Sequence, residues 1–354
     1  MATEEAPPHA WRVVVHFDLD CFYAQVEHNR LKIPHDEPLG VVQWNSLIAN
    51  NYASRKYGVK RGMSATDAVK LCHPVKLHCV SVELIGDQGS CDSDEHPITS
   101  TSGDCTVNAV PNQDNHAQTT LENSQKKIDT TRVKVSLERY RRASVKIFAV
   151  LKRFAKKLDA VFERASVDEA YLDITNYCTS LMDNVISTKV DRTNIIGTLQ
   201  SDDERDRLLA GSTPVVQQIR KAIFDELNYT ISAGISHNRL LSKIASSRYK
   251  PNQQTIIPAR SAIPIMAEQS ITAVPGLGGK LGASVSAAVS KYHELNPQRE
   301  TQPQIPSWEK AKTAADGAKQ TVALLQVISL QWLQDHFGPS RGQWLFDIAR
   351  GRSC

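Results

Sequence analysis

The sequence predicts an α+β fold built around a small mixed sheet. Short apolar runs typical of strands alternate with segments at helical spacing as far as residue 257. Two long polar stretches interrupt this alternation, and the chain from Pro258 onward has a helical pattern apart from a polar stretch at 296–320. With 354 residues, 41% of them hydrophobic and 23% charged, the chain is long enough for two or three buried cores.

The elements of the first part follow from local patterns. Trp11 to Phe17 is predicted to be a strand buried on both faces, because its valines are continuous rather than alternating. Ser64 is a suitable N-cap for a helix that ends at Cys72. The remaining predictions for this part are a helix at 21–30, a strand at 39–43, a helix at 51–57 and a strand at 75–80.

The middle part begins with a segment of different composition. Asp87 to Thr131 is rich in Ser, Thr, Asp, Asn and Gln without periodicity, which predicts a disordered insertion. A helix at 135–158 and a strand–turn–strand unit at 160–174 follow. The apolar face predicted for that helix consists of Val145, Phe148, Leu151, Phe154 and Leu158.

The third part opens with a second polar interruption at 176–211, also read as a disordered insertion. Thr213 as N-cap and Pro214 at the first helical position predict a helix to about Leu227. A strand at 229–235 and a basic helix at 238–249 complete the alternation.

Charge is segregated although the net charge is only +4. Residues 84–125 contain seven acids and no Lys or Arg, whereas residues 126–164 contain 13 Lys or Arg against four acids. The basic stretch favours a polyanionic partner, and a solvated helix face is the equally weighted alternative.

The sequence also indicates a compartment. No secretory signal and no apolar run of transmembrane length is present, so no membrane partner is expected. Seven scattered cysteines without a CxxC motif predict reduced thiols inside the cell, with neither a disulfide framework nor a zinc site.

Acidic residues stand at the ends of two apolar strands. Asp18 and Asp20 are two apart and share a strand face, and Asp168 and Glu169 reach one site if the strand ends in a turn or bulge. Carboxylates at the edge of a core need a cation, and a pair of divalent metal ions would supply it. The alternative is structural, with Asp168 capping a turn and Glu169 paired with an arginine.

Three motifs resemble those of the Y-family, translesion DNA polymerases, and occur in that family's order. They are Phe17-Asp18-Leu19-Asp20-Cys21-Phe22-Tyr23, Ala165-Ser166-Val167-Asp168-Glu169-Ala170-Tyr171 and Ser232-Ala233-Gly234-Ile235-Ser236-His237-Asn238, the last continuing to Lys250-Pro251-Asn252. Together with Val42-Gln43-Trp44 and Tyr52-Ala53-Ser54-Arg55, they are most similar to the eta group of that family, particularly in fungi.

The resemblance implies a right-hand fold and a set of metal ligands. The palm, with a ferredoxin-like mixed sheet, would take residues 11–30 and 78–246, small fingers 31–77, and a helical thumb 247–354. Two Mg²⁺ ions, replaceable by Mn²⁺, would be held by the carboxylates of Asp18, Asp168 and Glu169 and the carbonyl of Leu19, and Asp20 would not be a ligand.

The resemblance also implies substrate contacts. Tyr23 would be the residue that rejects the ribose 2′-OH by its bulk, whereas Phe22 is read as a core aromatic. Tyr52, Arg55 and Lys250 would bind the triphosphate of the incoming deoxynucleotide. Gln43 and Arg61 match positions that contact the template base and the incoming base.

The thumb is predicted to grip primer–template DNA through a helix–hairpin–helix turn. Gly276, Gly278 and Lys280 lie in that Gly-rich turn, where backbone amides and a lysine would hold a phosphate without reading sequence. Taken by itself, such a turn is more often only a tight connection between helices.

The chain departs from the family where it stops, at Cys354, since the family's little-finger domain is expected beyond that point. Sliding-clamp and ubiquitin contacts are expected for the family, but no motif for either is found in this sequence. A nuclear location follows from the family alone. The predicted activity is translesion DNA synthesis, and the alternatives are a nucleotide cyclase and an inactive DNA-binding scaffold.

Overall fold

The computed structural model describes residues 11–85, 134–181, 190–296 and 320–352. Its strands are β1 (Val14–Leu19), β2 (Leu39–Gln43), β3 (Ser46–Asn50), β4 (His78–Ser81), β5 (Glu83–Ile85), β6 (Lys134–Ser136), β7 (Val161–Arg164), β8 (Glu169–Asp173), β9 (Asn194–Ile195), β10 (Ile231–Ser236) and β11 (Gln254–Ile256).

The helices of the described part fall into two sets. Before residue 250 they are α1 (Phe22–Leu31), α2 (Tyr52–Arg55), α3 (Ala65–Cys72), α4 (Glu138–Lys157), α5 (Thr175–Ser180), α6 (Glu204–Leu227) and α7 (Arg239–Arg248). After it they are α8 (Ala262–Ala267), α9 (Gly279–Leu295), α10 (Val322–Gln326), α11 (Leu330–Phe337) and α12 (Pro339–Ile348). No helix among the described residues is both long and apolar enough to cross a membrane.

A six-stranded mixed sheet organises the molecule, in the order β7-β8-β1-β10-β11-β9. β1 lies inside it and pairs antiparallel with β8 on one side and β10 on the other. β11 joins β10, and β9 joins β11, in parallel. The first strand of the chain is therefore enclosed by strands that come much later in the sequence.

The two faces of this sheet have different contents. Val13, Val15 and Phe17 point into the main core, which also contains the apolar sides of α4 and α6. The opposite face carries His16 and Asp18, and α7 lies across it, with the His16 Nδ1 2.8 Å from the Ser246 Oγ. The acidic residues thus share a face with α7 rather than with the main core.

Close approach of α7 requires a residue without a side chain on β10. A Cβ atom at Gly234 would lie 1.9 Å from the Ser242 carbonyl oxygen. Only glycine allows the helix backbone to come this near the strand. This contact sets the distance at which α7 presents its side chains to the acidic strand ends.

Two smaller units accompany the main sheet. A three-stranded sheet in the order β3-β2-β4 packs with α3 around a separate cluster formed by Leu47, Val59, Ala68, Cys72 and Leu77. α8 to α12 bury a second large apolar cluster whose fully buried members include Leu277, Val285 and Leu333. Strands β5 and β6 form a two-stranded ribbon.

Most of the predicted elements are present. The strand at 39–43 and the helix capped by Ser64 are confirmed, with the Ser64 Oγ accepting the Asp67 N–H at 3.1 Å. The strand–turn–strand unit is confirmed as β7 and β8, and the regular elements that the structure describes after Pro258 are helices. The short strands β3, β5, β6, β9 and β11 were not predicted.

The prediction of a helix start at Thr213 is wrong. α6 begins at Glu204, with Asp203 as N-cap, and passes through Pro214. Proline at this position leaves the Ala210 carbonyl without its backbone donor, and the Thr213 Oγ1 donates to that oxygen at 2.8 Å instead. This local replacement explains why the proline does not end the helix.

The prediction of a disordered insertion at 176–211 is also wrong for most of its length. α5, β9 and the first two turns of α6 occupy this range, and the apolar side chains of Leu208 and Leu209 are buried. The insertion predicted at 87–131, residues 182–189 of the second one and most of the polar stretch at 296–320 lie outside the described residues. In α4, Val145 is 58% exposed, so it does not belong to the predicted apolar face.

Candidate active site

The two acidic motifs meet across neighbouring strands. Asp18 is a residue of β1 and pairs directly with Glu169, the first residue of β8. The Leu19 N–H donates to the Asp168 carbonyl at 3.0 Å. The β7–β8 turn therefore brings Asp168 and Glu169 beside Asp18, at the same end of the sheet.

Each of these carboxylates has a different partner. The Lys250 ammonium contacts the Asp18 Oδ1, and the Lys243 ammonium lies 2.7 Å from both Glu169 oxygens. The Asp168 Oδ1 accepts from the Ser166 Oγ at 2.6 Å. Two lysines thus supply the positive charge that the sequence predicted for metal ions.

The carboxyl of Asp18 lies in a buried environment beside two other acids. Burial raises the pKa of Asp18 to about 6, Lys250 opposes this shift, and the charges of Glu169 and Asp168 add a smaller increase. The raised pKa thus reflects mainly the loss of solvent around this carboxyl. A further cation beside it would favour the ionised form.

The donor set suits a hard divalent ion such as Mg²⁺. Asp18, Asp168 and Glu169 offer carboxylate oxygens, and the chain enters the cleft at Leu19, whose carbonyl is the fourth predicted ligand. Among the described residues, however, no three His, Cys, Asp or Glu side chains are arranged as a ready metal cage. The carboxylates of Asp18 and Glu169 are directed instead toward the ammonium groups of Lys250 and Lys243.

A cleft of about 410 Å³ opens beside the acids. It is bounded by the end of β1, the start of α1, β3, α2 and the loop that carries Lys250. Its lining consists of Asp18, Leu19, Cys21, Phe22, Tyr23, Ile48, Ala49, Asn50, Tyr52, Arg55, Arg61, Val167, Asp168 and Lys250.

The tyrosine predicted to face the sugar is held from beneath. Tyr23 stacks on Tyr140 of α4, with ring centroids 4.1 Å apart and planes 17° apart. Tyr140 is 1% exposed, and its hydroxyl donates to the buried Glu27 carboxylate at 2.9 Å. One face of the Tyr23 ring is therefore fixed by the core.

The basic side of the cleft comes from the α2 region. The Arg55 guanidinium lies 4.5 Å from the centre of the Tyr52 ring, and its Nη2 donates to the Asn50 carbonyl at 3.2 Å. Tyr52 and Arg61 line the same wall. Burial raises the pKa of Tyr52, so its hydroxyl stays protonated and can donate.

Some predicted residues lie elsewhere. Gln43 ends β2 and is not part of the cleft lining, and Glu169 faces Lys243 beside the cleft. Gly276, Gly278 and Lys280 are exposed in the C-terminal helical unit, where Gly278 is the N-cap of α9.

Close packing explains another glycine of that turn. A Cβ at Gly282 would lie 1.7 Å from the Leu277 carbonyl oxygen, so α9 can meet the preceding loop only with glycine there. The turn is shaped by packing as well as by any ligand.

The sequence analysis assigned no role to Lys243. The residue could have been found, because a carboxylate at the edge of the core needs a cation and Lys243 lies in the basic helix predicted at 238–249. Asp20 was set aside as a non-ligand, yet its Oδ1 lies 4.0 Å from the Lys250 ammonium. Asp18 and Asp20 therefore approach the same lysine, in agreement with the strand-face prediction.

Comparison with known proteins supports the motif resemblance. The profile of the impB/mucB/samB family matches residues 17–247. The chain is 29% identical to DNA polymerase eta of Arabidopsis thaliana over 97% of its own length and 43% of that protein. It is 28% identical to DNA polymerase eta of Saccharomyces cerevisiae, over 82% of this chain and 49% of that one.

A third relative carries a different name. N-acetyltransferase eso1 of Schizosaccharomyces pombe is 31% identical over 77% of this chain and 30% of its own length. The chain thus spans less than half the length of these three relatives. The matched segment contains the first two sequence motifs, residues 232–238 of the third and every cleft residue except Lys250. The chain belongs to the impB/mucB/samB family, the Y-family of translesion polymerases.

Proposed function

We propose that this chain is a DNA-directed DNA polymerase that extends a primer opposite damaged template bases, such as UV-linked pyrimidines. The observation that carries this proposal is the cleft itself. Asp18 and Asp168 line it together with Arg55, Arg61 and Lys250. Carboxylates and cationic side chains around one cleft suit metal-assisted transfer of a phosphoryl group.

The basic residues would bind the triphosphate. The planar guanidinium of Arg55 suits two phosphate oxygens at once, and the Lys250 ammonium supplies a point charge on the acidic side. The Tyr52 hydroxyl adds a neutral donor. These groups would hold the α-phosphate near the end of β1.

The acidic residues would hold two divalent ions. When bound, the ions activate the primer 3′-OH and stabilise the departing pyrophosphate. Asp18, Asp168, Glu169 and the Leu19 carbonyl would be their ligands, with Mg²⁺ as the physiological ion and Mn²⁺ as a substitute. Lys243 and Lys250 would release the carboxylates that they now contact.

The rest of the proposal assigns the palm, fingers and thumb of a right-hand polymerase fold. The main sheet with its helices would form a ferredoxin-like palm, the β3-β2-β4 unit the fingers, and α8 to α12 a thumb that contacts duplex DNA near Lys280. The sheet extends to β11, so the palm would reach Ile256 rather than end at 246. Small fingers leave the cleft open and would tolerate distorted template bases. A nuclear location is proposed with this function.

Primer extension on matched templates with and without a thymine dimer tests the proposal. In Mg²⁺, the wild-type chain is expected to extend both primers, and the Asp168→Asn, Glu169→Gln double variant to lose at least about 100-fold in rate. Glu163→Gln is the matched control, because it removes a carboxylate on the neighbouring strand that pairs with Arg239 outside the cleft.

Three results would contradict the proposal in different ways. Primer extension by the double variant would exclude Asp168 and Glu169 as metal ligands. Failure of the wild-type chain to extend while it still binds DNA would favour a scaffold. Product made from nucleotide without DNA would favour a cyclase.

A further inference from the structure

Asp20 is a buried carboxylate beside the cleft for which the resemblance provides no role. It is 1% exposed, and both of its oxygens are used. The Oδ1 accepts from the Ser232 Oγ at 2.7 Å, and the Oδ2 accepts from the backbone N–H of Asn252 at 2.8 Å. A buried charge with two donors is strongly held in place.

The second of these bonds reaches the loop that carries Lys250. Asn252 has a φ of +54°, in the left-handed region that residues other than glycine seldom adopt. The Asn252 Oδ1 accepts from the Arg220 Nη2 at 2.7 Å. The loop is therefore gripped at Asn252 from two sides, by Asp20 and by Arg220.

Arg220 is itself fixed to the sheet. Its Nε donates to the Ile231 carbonyl at 2.9 Å, at the start of β10. β10 also carries Ser232, the other donor to Asp20. The loop, the end of β1 and the start of β10 are thus joined in a single hydrogen-bond network.

Lys250 stands two residues before the gripped position. Its ammonium contacts the Asp18 Oδ1 and lies 4.0 Å from the Asp20 Oδ1. A lysine side chain has many rotamers, and ordering it costs free energy unless the backbone and partners fix it. The grip on Asn252 provides that order.

We propose that Asp20 and Arg220 are positioning residues that hold the 250–252 loop so that the Lys250 ammonium stays in the cleft. Asp20 acts through the Asn252 N–H and Arg220 through the Asn252 side chain. The importance of this for catalysis rests on the proposed function, in which Lys250 binds the nucleotide triphosphate. The positioning itself does not depend on that function.

The first experiment measures Lys250 in the free protein. A short pulse of an acetylating reagent, read by mass spectrometry, gives the reactivity of Lys250 relative to the exposed Lys280. In the wild type Lys250 is expected to react slowly, because its ammonium is paired with Asp18. In Asp20→Asn the charged acceptor of the Asn252 N–H becomes a neutral amide, so the bond that holds the loop is weakened, and Lys250 is expected to react several-fold faster.

A matched control separates loop positioning from general loss of stability. Asp206 is also 1% exposed, and it holds the Gln200 N–H at 2.8 Å and the Arg260 guanidinium, away from the cleft lining. Asp206→Asn removes a comparable buried carboxylate and is expected to leave Lys250 reactivity unchanged.

The second experiment uses kinetics. Asp20→Asn is expected to raise KM for the deoxynucleotide by about tenfold, the factor that loss of one charged hydrogen bond produces, with a smaller change in kcat. In a Lys250→Ala background the same substitution is expected to have little further effect on KM, because both act through one side chain.

Arg220→Gln keeps the inference testable where Asp20→Asn does not fold. It loosens the same loop and leaves the Asp20 carboxylate intact, so the same changes in Lys250 reactivity and KM are expected. The inference would be overturned if Lys250 reacted no faster in Asp20→Asn or Arg220→Gln than in the Asp206→Asn control. It would also be overturned if Asp20→Asn raised KM as much in the Lys250→Ala background as in the wild type. A wild-type chain that extends no primer would remove the proposed function, and the labelling result would still decide the positioning.

Discussion

Tyr23 has one ring face against Tyr140 and the other toward the cleft. Because the stacked partner is buried, the Tyr23 ring cannot retreat from a substrate without breaking a packed contact. A sugar seated above it would meet a fixed surface. In the proposed complex, discrimination against a 2′-OH would follow from the stiffness of the support as well as from the size of the ring.

Tyr23→Ala is therefore expected to admit ribonucleotides. The ratio of kcat/KM for deoxynucleotide over ribonucleotide should fall by at least about tenfold, which corresponds to about 1.4 kcal/mol of lost discrimination. Steady-state single-nucleotide insertion measures it, and Tyr57→Ala, which removes an exposed tyrosine outside the cleft, is the control. An unchanged ratio in Tyr23→Ala would exclude this residue as the sugar filter.

Residue types in the motifs predicted several side chains that the structure brings together. Asp18, Asp168, Arg55 and Lys250 line one cleft, whereas Glu169 and Gln43 do not, and the roles assigned to all of them stay predictions. Their ion pairs were not predictable, because Lys243 and Glu169 are distant in sequence and meet only through the packing of α7 on the sheet. Pairings of this kind depend on tertiary contacts that a local pattern does not contain.

α6 shows how an element can contradict its sequence signals. Thr before Pro is a strong helix start, but here the same threonine compensates for the proline inside a longer helix. The buried Leu208 and Leu209 extend the helix toward its N-terminus, because packing on the core outweighs the local preference. Short strands such as β9 and β11 escaped prediction for a similar reason, since two or three residues have no measurable periodicity.

Pro214→Ala is expected to stabilise the protein by about 1 kcal/mol. The proline is exposed, and alanine would restore the backbone N–H to the Ala210 carbonyl. Urea denaturation followed by circular dichroism measures the change. Thr213→Val should destabilise the wild type more than it destabilises Pro214→Ala, because only in the wild type is the threonine hydroxyl the replacement donor. A lower stability of Pro214→Ala would show that α6 depends on the bend that proline provides.

The molecule as a whole has an acidic strand end on the main sheet and a lysine-bearing turn on the C-terminal helical unit. In the proposed complex the first would hold the reacting end of the primer and the second the duplex behind it. Contacts of the second kind are electrostatic and independent of sequence, so they weaken as salt rises.

Lys280→Gln is expected to weaken duplex binding at low salt and to reduce the slope of log affinity against log salt by about one unit. Fluorescence anisotropy with a labelled primer–template at several salt concentrations gives both quantities. Lys291→Gln, at the other end of the same helix α9, is the control and should leave the slope unchanged. Equal slopes for Lys280→Gln and wild type would place the duplex elsewhere.

The position of β1 inside the main sheet also affects how the protein is made. Val14 pairs with Asp173 on one side and with Ser236 on the other, so both neighbours leave the ribosome long after β1 does. Until then the apolar strand β1 has neither of its partners. Such long-range strand pairing is expected to slow folding and to leave β1 exposed to aggregation or to chaperone binding. Asp18 therefore meets Asp168 and Glu169 only after β8 has been synthesised, and the lysine that contacts Asp18 follows later still, at residue 250.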